Sequence, residues 1–402
     1  MILALGVSGC AIQNVPVGAP LSQAPAEVPP LAPVPPPQAA QEVPPPPPER
    51  LVDVGGKIDV ALLLPLSAPG RVGVLGHDML DSAQLAMTEL ADDGMALTPK
   101  DTKGTPDGAA AAARKAVAEG AKLIVGPLTA PEIEAVRPIA LQAGINVLAF
   151  SNVAQTAGNG VFLLGILPQD EVRRITRYAA STGIDHFAVL APSNAYGKLA
   201  SDAFQTAVAD AGGTLDASGF YDPNSTDLRQ AAKRLAGTPG FSALLLPEPD
   251  AARLKTAASL LPAYGIDPTK VRLLGIGGSG EGWEASNLGT EATLNGGWFA
   301  APAEEARAGF EQRFLDAFGR KPQRLATLAY DAVGVAAVLE RTPGAGFSAE
   351  SITNPSGFAG ADGIFRLLPD GTAQRGLAVL QIERSGTSTI SPAPDTFEQT
   401  GQ

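Results

Sequence analysis

The chain has 402 residues, 45% of them hydrophobic and 17% charged, which is enough apolar side chain for more than one core and excludes disorder over most of its length. Lys and Arg number 29 against 41 Asp and Glu, a formal net charge of −12, the wrong sign for a protein that grips the phosphate backbone of nucleic acid. One cysteine, Cys10, and two histidines, His77 and His186, exclude an internal disulfide and a cysteine-built zinc site and leave few groups for metal or triad chemistry, so a binding or scaffold role is favoured over an enzyme.

Residues 1–10 read MILALGVSGC, an apolar run that ends in small residues and a cysteine. This resembles the lipobox of a bacterial lipoprotein, which implies cleavage after Gly9 and acylation of Cys10. The run is too short to span a bilayer, which takes about 20 residues. It lacks the Lys or Arg of a signal n-region, so the true start is expected upstream. Residues 11–50 contain 14 prolines, too many for a helix or a central strand, and predict an extended polyproline-II linker. At about 3.1 Å per residue such a spacer reaches on the order of 120 Å.

From residue 57 the pattern becomes alternating. Short apolar runs at 58–64, 122–125, 145–150, 186–191, 243–246 and 271–276 predict strands buried on both faces. Ala-rich amphipathic stretches at 78–91, 109–119, 132–143, 170–181, 198–211, 227–235 and 251–261 predict helices between them. Strand-helix alternation implies parallel sheets with right-handed crossovers, and six or more such units exceed one ordinary open sheet. The expected fold is therefore α/β, with two lobes built on two doubly wound parallel sheets. The stretches 161–168 and 296–302 read as extended crossings between lobes, with helices at 303–319 and 325–341 returning to the first. The expected division is residues 57–165 with 297–345 in the first lobe and 166–296 with 346–385 in the second. Strands at 364–368 and 377–382 flank Pro369-Asp370-Gly371, a turn signal, and residues 386–402, rich in Ser, Thr and Pro, should fray.

Thr129, followed three residues on by Glu132 with Pro131 between, is a capping box that starts a helix. Gly275-Ile276-Gly277-Gly278-Ser279-Gly280 formally satisfies a dinucleotide fingerprint, but it comes late and no full helix follows, so a tight turn is expected. His77 and His186 read as surface or boundary residues, and Trp298 and Phe299 as packing. No cofactor or metal is expected.

The blocks VALLLPLSAPGRVGVLGHDMLDSAQLAMTEL from Val60, LIVGPLTAPEIEAVRPIALQAGINVLAFSN from Leu123, APSNAYG from Ala191 and TLAYDAVGVAAVL from Thr327 resemble the type I periplasmic binding proteins of the Leu/Ile/Val-binding group. Within that group, the leader, LLLPLS in the first strand and DGIFRLLPDG from Asp362 are most similar to the penicillin-binding-protein activator lipoproteins, although the helical-repeat domain of enterobacterial members is replaced here by the Pro-rich linker. The resemblance implies a non-enzymatic lipoprotein of the periplasm whose partner is a class A penicillin-binding protein, and Ala11 behind Cys10, in place of the aspartate of inner-membrane retention, suggests a lipid anchor in the outer membrane. The alternative it leaves is a substrate-binding component of an amino-acid ABC transporter.

The same resemblance implies that the loops holding a ligand's carboxylate correspond to Thr129, Ser151 and Asn152. Ligands of open α/β sheets bind outside the carboxyl ends of the strands, which adds Ser67, Tyr196, Glu248 and, less strongly, Glu281 as cleft candidates. An ammonium group on such a ligand would need one of those carboxylates, since a buried cation is costly unpaired. The family's aromatic wall near Leu246 is replaced by Pro247-Glu248-Pro249, a departure from a branched-chain amino-acid pocket.

Overall fold

The computed structural model describes residues 57–225, 227–277 and 282–397. Cys10, the Pro-rich segment 11–50, Glu281 and three positions of the glycine motif lie outside the described residues. The chain runs β1 (Ile58–Leu64), α1 (Arg71–Leu90), β2 (Met95–Asp101), α2 (Pro106–Ala118), β3 (Leu123–Val125), α3 (Ala130–Ala143), β4 (Asn146–Ala149) and β5 (Val161–Leu163). There follow α4 (Pro168–Ser181), β6 (His186–Pro192), α5 (Ala195–Asp210), β7 (Thr214–Tyr221), α6 (Leu228–Ala236), β8 (Ala243–Leu245), α7 (Ala251–Leu260), β9 (Arg272–Ile276) and β10 (Trp298–Pro302). The last third is α8 (Glu304–Phe318), α9 (Thr327–Arg341), α10 (Ala349–Ile352), β11 (Phe358–Gly360), β12 (Gly363–Leu367), β13 (Ala373–Arg375), β14 (Leu377–Glu383) and β15 (Gly386–Ser391).

Two large sheets result. The first has five parallel strands in the order β2-β1-β3-β4-β5, and the second has seven in the order β15-β14-β10-β9-β8-β6-β7. The pleat explains why continuous apolar runs were needed. Val60, Leu62 and Leu64 of β1 enter one core beneath α1, α8 and α9, while Ala61 and Leu63 enter another beneath α2 and α3. In β6, Phe187 and Val189 pack on α4 and α5, while Ala188 and Leu190 pack on α6 and α7. Each sheet is thus covered by helices on both faces, the doubly wound arrangement.

The chain passes between the sheets at residues 164–167, at Ala303 and at Gly376. Several boundaries differ from the sequence expectation. Val161–Leu163, the start of the stretch read as the first crossing, is the edge strand β5, paired in parallel with β4. The stretch 296–302 is not the second crossing: Trp298–Pro302 pairs in parallel with β9 and belongs to the second sheet, so that crossing comes after Pro302. Residues 346–375, expected in the second lobe, supply Ile352, Phe358, Phe365, Leu367 and Ala373 to the core of the first.

The turn at Pro369-Asp370-Gly371 joins β12 to β13, not to the strand that begins at Leu377. That strand is β14, which lies antiparallel to β10. The expected frayed tail is also ordered through its first part. β15 pairs antiparallel with β14, and Phe397 is buried with the Arg366 guanidinium 4.7 Å above its ring.

Candidate functional site

The loops after β1, β2, β3 and β4 in one lobe, and after β6, β8 and β9 in the other, leave the carboxyl ends of parallel strands, the side on which open α/β sheets bind ligands. In the first lobe the loops after β3 and β4 are fastened together: Phe150 donates its backbone N–H to the Pro127 carbonyl at 3.0 Å, and Gly126 donates to Leu148 at 2.7 Å. Gly126 has φ 92°, and a Cβ there would lie 2.2 Å from the Leu63 carbonyl oxygen, so only glycine lets this loop sit so close to β1.

Thr129 caps α3 in a reciprocal capping box, as its spacing with Glu132 predicts. Its backbone N–H donates to Glu132 at 3.0 Å and its hydroxyl donates to the same carboxylate at 2.7 Å. Thr102, from the loop after β2, donates to the other Glu132 oxygen at 2.6 Å. Glu132 is fully buried, and these donors are what make its burial tolerable. Ser151 is buried and its hydroxyl oxygen accepts the Val153 N–H at 3.1 Å, whereas Asn152 beside it is exposed. Ser67 is exposed, and its backbone N–H donates to Asp101 at 3.1 Å. Burial would push the Asp101 carboxyl up, but the bonds from Ser67 and Lys103 outweigh it and hold the carboxyl below its ordinary value.

The second-lobe candidates form a different environment. Glu248 is buried, with side-chain exposure of 2%, and accepts hydrogen bonds from the Tyr221 hydroxyl, the Asp250 N–H at 3.0 Å and Arg253 Nε at 3.1 Å. Its charge is therefore answered by Arg253. Tyr196 is half-buried beside the core of the second lobe; burial first, then the charges of Glu171 and Glu248, push its phenol well above the usual range, so it is a neutral donor. The charge of Glu248 thus reaches Tyr196, while the four first-lobe candidates fall on three loops, Ser67 after β1, Thr129 after β3, and Ser151 with Asn152 after β4.

The glycine motif serves packing. A Cβ at Gly275 would lie 2.0 Å from the ring of Trp283, which is fully buried and donates its indole N–H to the Leu246 carbonyl at 2.8 Å. His77 is exposed, and His186 is half-exposed beside Asp216 at 2.9 Å. Trp298 stacks edge-on against Tyr178 at 5.2 Å between ring centres, and Phe299 is buried. No cluster of metal-binding side chains occurs among the described residues.

Sequence reasoning missed the ionic groups that join the lobes. Arg324, in the turn before α9, reaches Glu284 after β9 at 3.1 Å and Asp362 between β11 and β12 at 2.9 Å. Arg307 of α8 approaches the same Glu284 at 3.5 Å. Asp362 is fully buried and also accepts the Thr327 hydroxyl at 2.7 Å; burial would raise its pKa, but the neighbouring Arg324 and Arg375 hold it below the ordinary value. Arg375, at the end of β13, clamps the crossing from the other side: it pairs with Asp331 at 3.1 Å and donates to the Leu164 carbonyl at 2.7 Å. Asp331, also fully buried, is pushed up to about 6 by burial despite that pairing. These partners are 23 to 211 positions apart in sequence, so no local signal could have found them.

The periplasmic binding protein family model matches residues 57–387. Among curated proteins, an uncharacterized protein of Rickettsia prowazekii is 24% identical over 180 residues, covering 45% of this chain and 47% of its own. The penicillin-binding protein activator LpoA of Glaesserella parasuis serovar 5 is 29% identical over 147 residues, covering 36% of this chain and 24% of its own. The chain thus spans less than half the length of either of these relatives. Among solved structures, a putative branched-chain amino acid ABC transporter protein from Rhodospirillum rubrum superposes with a TM-score of 0.70 at 17% identity, over 83% of this chain and 100% of that one. The leucine binding protein LivK from Thermotoga maritima superposes at 0.58 with 19% identity, over 84% and 99%. At these identities the likeness establishes the fold and no more.

Proposed function

Because the chain belongs to the periplasmic binding protein family, we propose that it serves as a non-enzymatic binding module of the cell envelope that activates a class A penicillin-binding protein in peptidoglycan synthesis. The observation that carries this reading is the ionic closure between the lobes. Glu284 of the second lobe is held by Arg324 and Arg307 of the first, and Arg324 is anchored in turn by buried Asp362. A transporter component must open and close around its cargo, and each opening would separate these shielded charges, which is costly. A body whose lobes are locked suits a fixed surface pressed against a protein partner. The match to the Glaesserella activator supports the same direction. In this reading Cys10 carries the lipid, Ala11 rather than aspartate behind it directs the protein to the outer membrane, and the Pro-rich segment spans towards a synthase at the inner membrane.

A second reading, a small-ligand binding protein of an ABC transporter, is favoured by the fastened loops of Thr129 and Ser151 with exposed Asn152, which together border the start of α3, the positive end of its dipole. Calorimetry separates the two. The activator reading expects the full chain to bind a purified class A synthase and to give no heat with leucine, isoleucine, valine or peptidoglycan peptides. Tight binding of an amino acid with no binding of the synthase would replace it with the transporter reading.

A further inference from the structure

Away from the cleft, a groove of about 690 Å³ lies between α4 and the segment Ser391 to Asp395. It collects four guanidinium groups, those of Arg173, Arg174, Arg177 and Arg375, against the two carboxylates of Asp170 and Asp395. In a chain with formal net charge −12 this is a local reversal of sign.

The arrangement is costly as it stands. Arg173 and Arg177 are four apart on one helix and Arg174 and Arg177 three apart, spacings at which like charges repel. Asp170 pairs with Arg173 and so neutralises one of the three. Arg174 has no carboxylate: it donates to the Leu377 carbonyl at 2.8 Å, the Ser391 hydroxyl at 2.6 Å and the Pro392 carbonyl at 3.4 Å, all neutral oxygens. Burial lowers the basicity of its guanidinium, an environment that lacks a counter-charge. Arg177 is exposed and makes no ion pair among the described residues. Arg375, on the inner wall, is buried, and its Nε has no acceptor although its other two nitrogens are bonded.

We propose that this groove binds a small polyanion bearing phosphate or carboxylate oxygens, at a site independent of the cleft. Guanidinium forks match such oxygens two at a time, and a groove of this volume accommodates a compact ligand rather than a flat surface. A ligand bridging Arg174 and Arg177 would supply the missing negative charge beside the end of β15, which Arg174 already holds through the Ser391 hydroxyl.

The test is titration of the full chain at pH 7.5 with pyrophosphate and with citrate, beside vesicles of phosphatidylglycerol and of phosphatidylcholine. Saturable binding of pyrophosphate or citrate, weakened by added salt, is expected, with affinity reduced about tenfold or more in Arg177→Gln. Arg177 is exposed and makes no ion pair among the described residues, so this variant should melt close to the parent. Pyrophosphate answering alone identifies a phosphate ligand, and citrate alone a carboxylate. Absence of both, binding to vesicles only, or equal affinity in the variant would overturn the proposal.

Discussion

Arg324 and Glu284 lie on opposite lobes with 3.1 Å between Nε and the carboxylate, and the same guanidinium reaches Asp362, whose side chain is fully buried. The three groups form a chain of alternating charge from the core of the first lobe, across the junction, to the loop after β9. The two ends of that chain are unequal. Removing Arg324 strands a buried aspartate, so Arg324→Ala should cost about 3–5 kcal/mol in stability by denaturant unfolding. Glu284→Gln leaves Asp362 paired, so its effect should fall mainly on the lobes. Its radius of gyration by small-angle scattering should rise while most of the stability is kept. An unchanged radius would mean that the crossings alone fix the lobes.

Gly275 is the seat of Trp283. Gly275→Ala puts a methyl group 2.0 Å from the indole and must displace it, at a cost of about 1–3 kcal/mol or more, with a weakened near-ultraviolet tryptophan signal. Phosphate-binding glycines would respond differently: the substitution would alter nucleotide affinity and leave stability largely intact.

Asp170 provides a pH signature. Burial, outweighing Arg173, pushes its carboxyl up to about 6 in the folded protein, against about 3.9 for an unperturbed aspartate. Between those values the folded state holds more protons than the unfolded state, so this group's contribution to stability rises as pH falls from about 7 to about 4 and is constant below. In Asp170→Asn the melting temperature should depend less on pH over that window. Identical pH profiles for the two proteins would show that the carboxyl titrates normally.

How legible the fold was depended on where each strand lies. β1, β6 and β9 are interior strands buried on both faces, and their apolar runs stand out. β2 and β7 are edges: Met95–Asp101 carries Pro99, Lys100 and Asp101, and Thr214–Tyr221 mixes polar and apolar residues, so neither shows the pattern. β10 was hidden for another reason, since Gly296 and Gly297 before it and Pro302 at its end read as loop, although it lies between β9 and β14. In the site, the Thr129 cap was readable because its partner is three residues away. The hydrogen bond that Tyr221 gives buried Glu248 was not, because Tyr221 comes from a strand 27 residues earlier. The ionic junction was least readable of all, being assembled by three crossings.

The leader and linker make a joint prediction. Metabolic labelling with a palmitate analogue should mark the parent protein and not Cys10→Ala. Deleting about half of the Pro-rich segment should abolish function in cells, and an unrelated proline-rich tract of equal length should restore it, because only the stiff form reaches on the order of 120 Å. Normal wall growth with the shortened segment would contradict outer-membrane bridging.

The cleft candidates are tested together by Thr129→Ala combined with Ser151→Ala. If a carboxylate ligand binds at the start of α3, the double variant should lose about tenfold or more in affinity, the loss expected from one or two hydrogen bonds to a charged group. Retained affinity would place the ligand elsewhere.

The activator role itself is best measured as the rate at which a purified class A penicillin-binding protein polymerises and cross-links lipid-linked precursor, with and without an equimolar amount of this protein. The account predicts a several-fold higher rate that depends on the added protein and saturates near one to one. An unchanged rate, with the synthase active and the added protein folded, would contradict it.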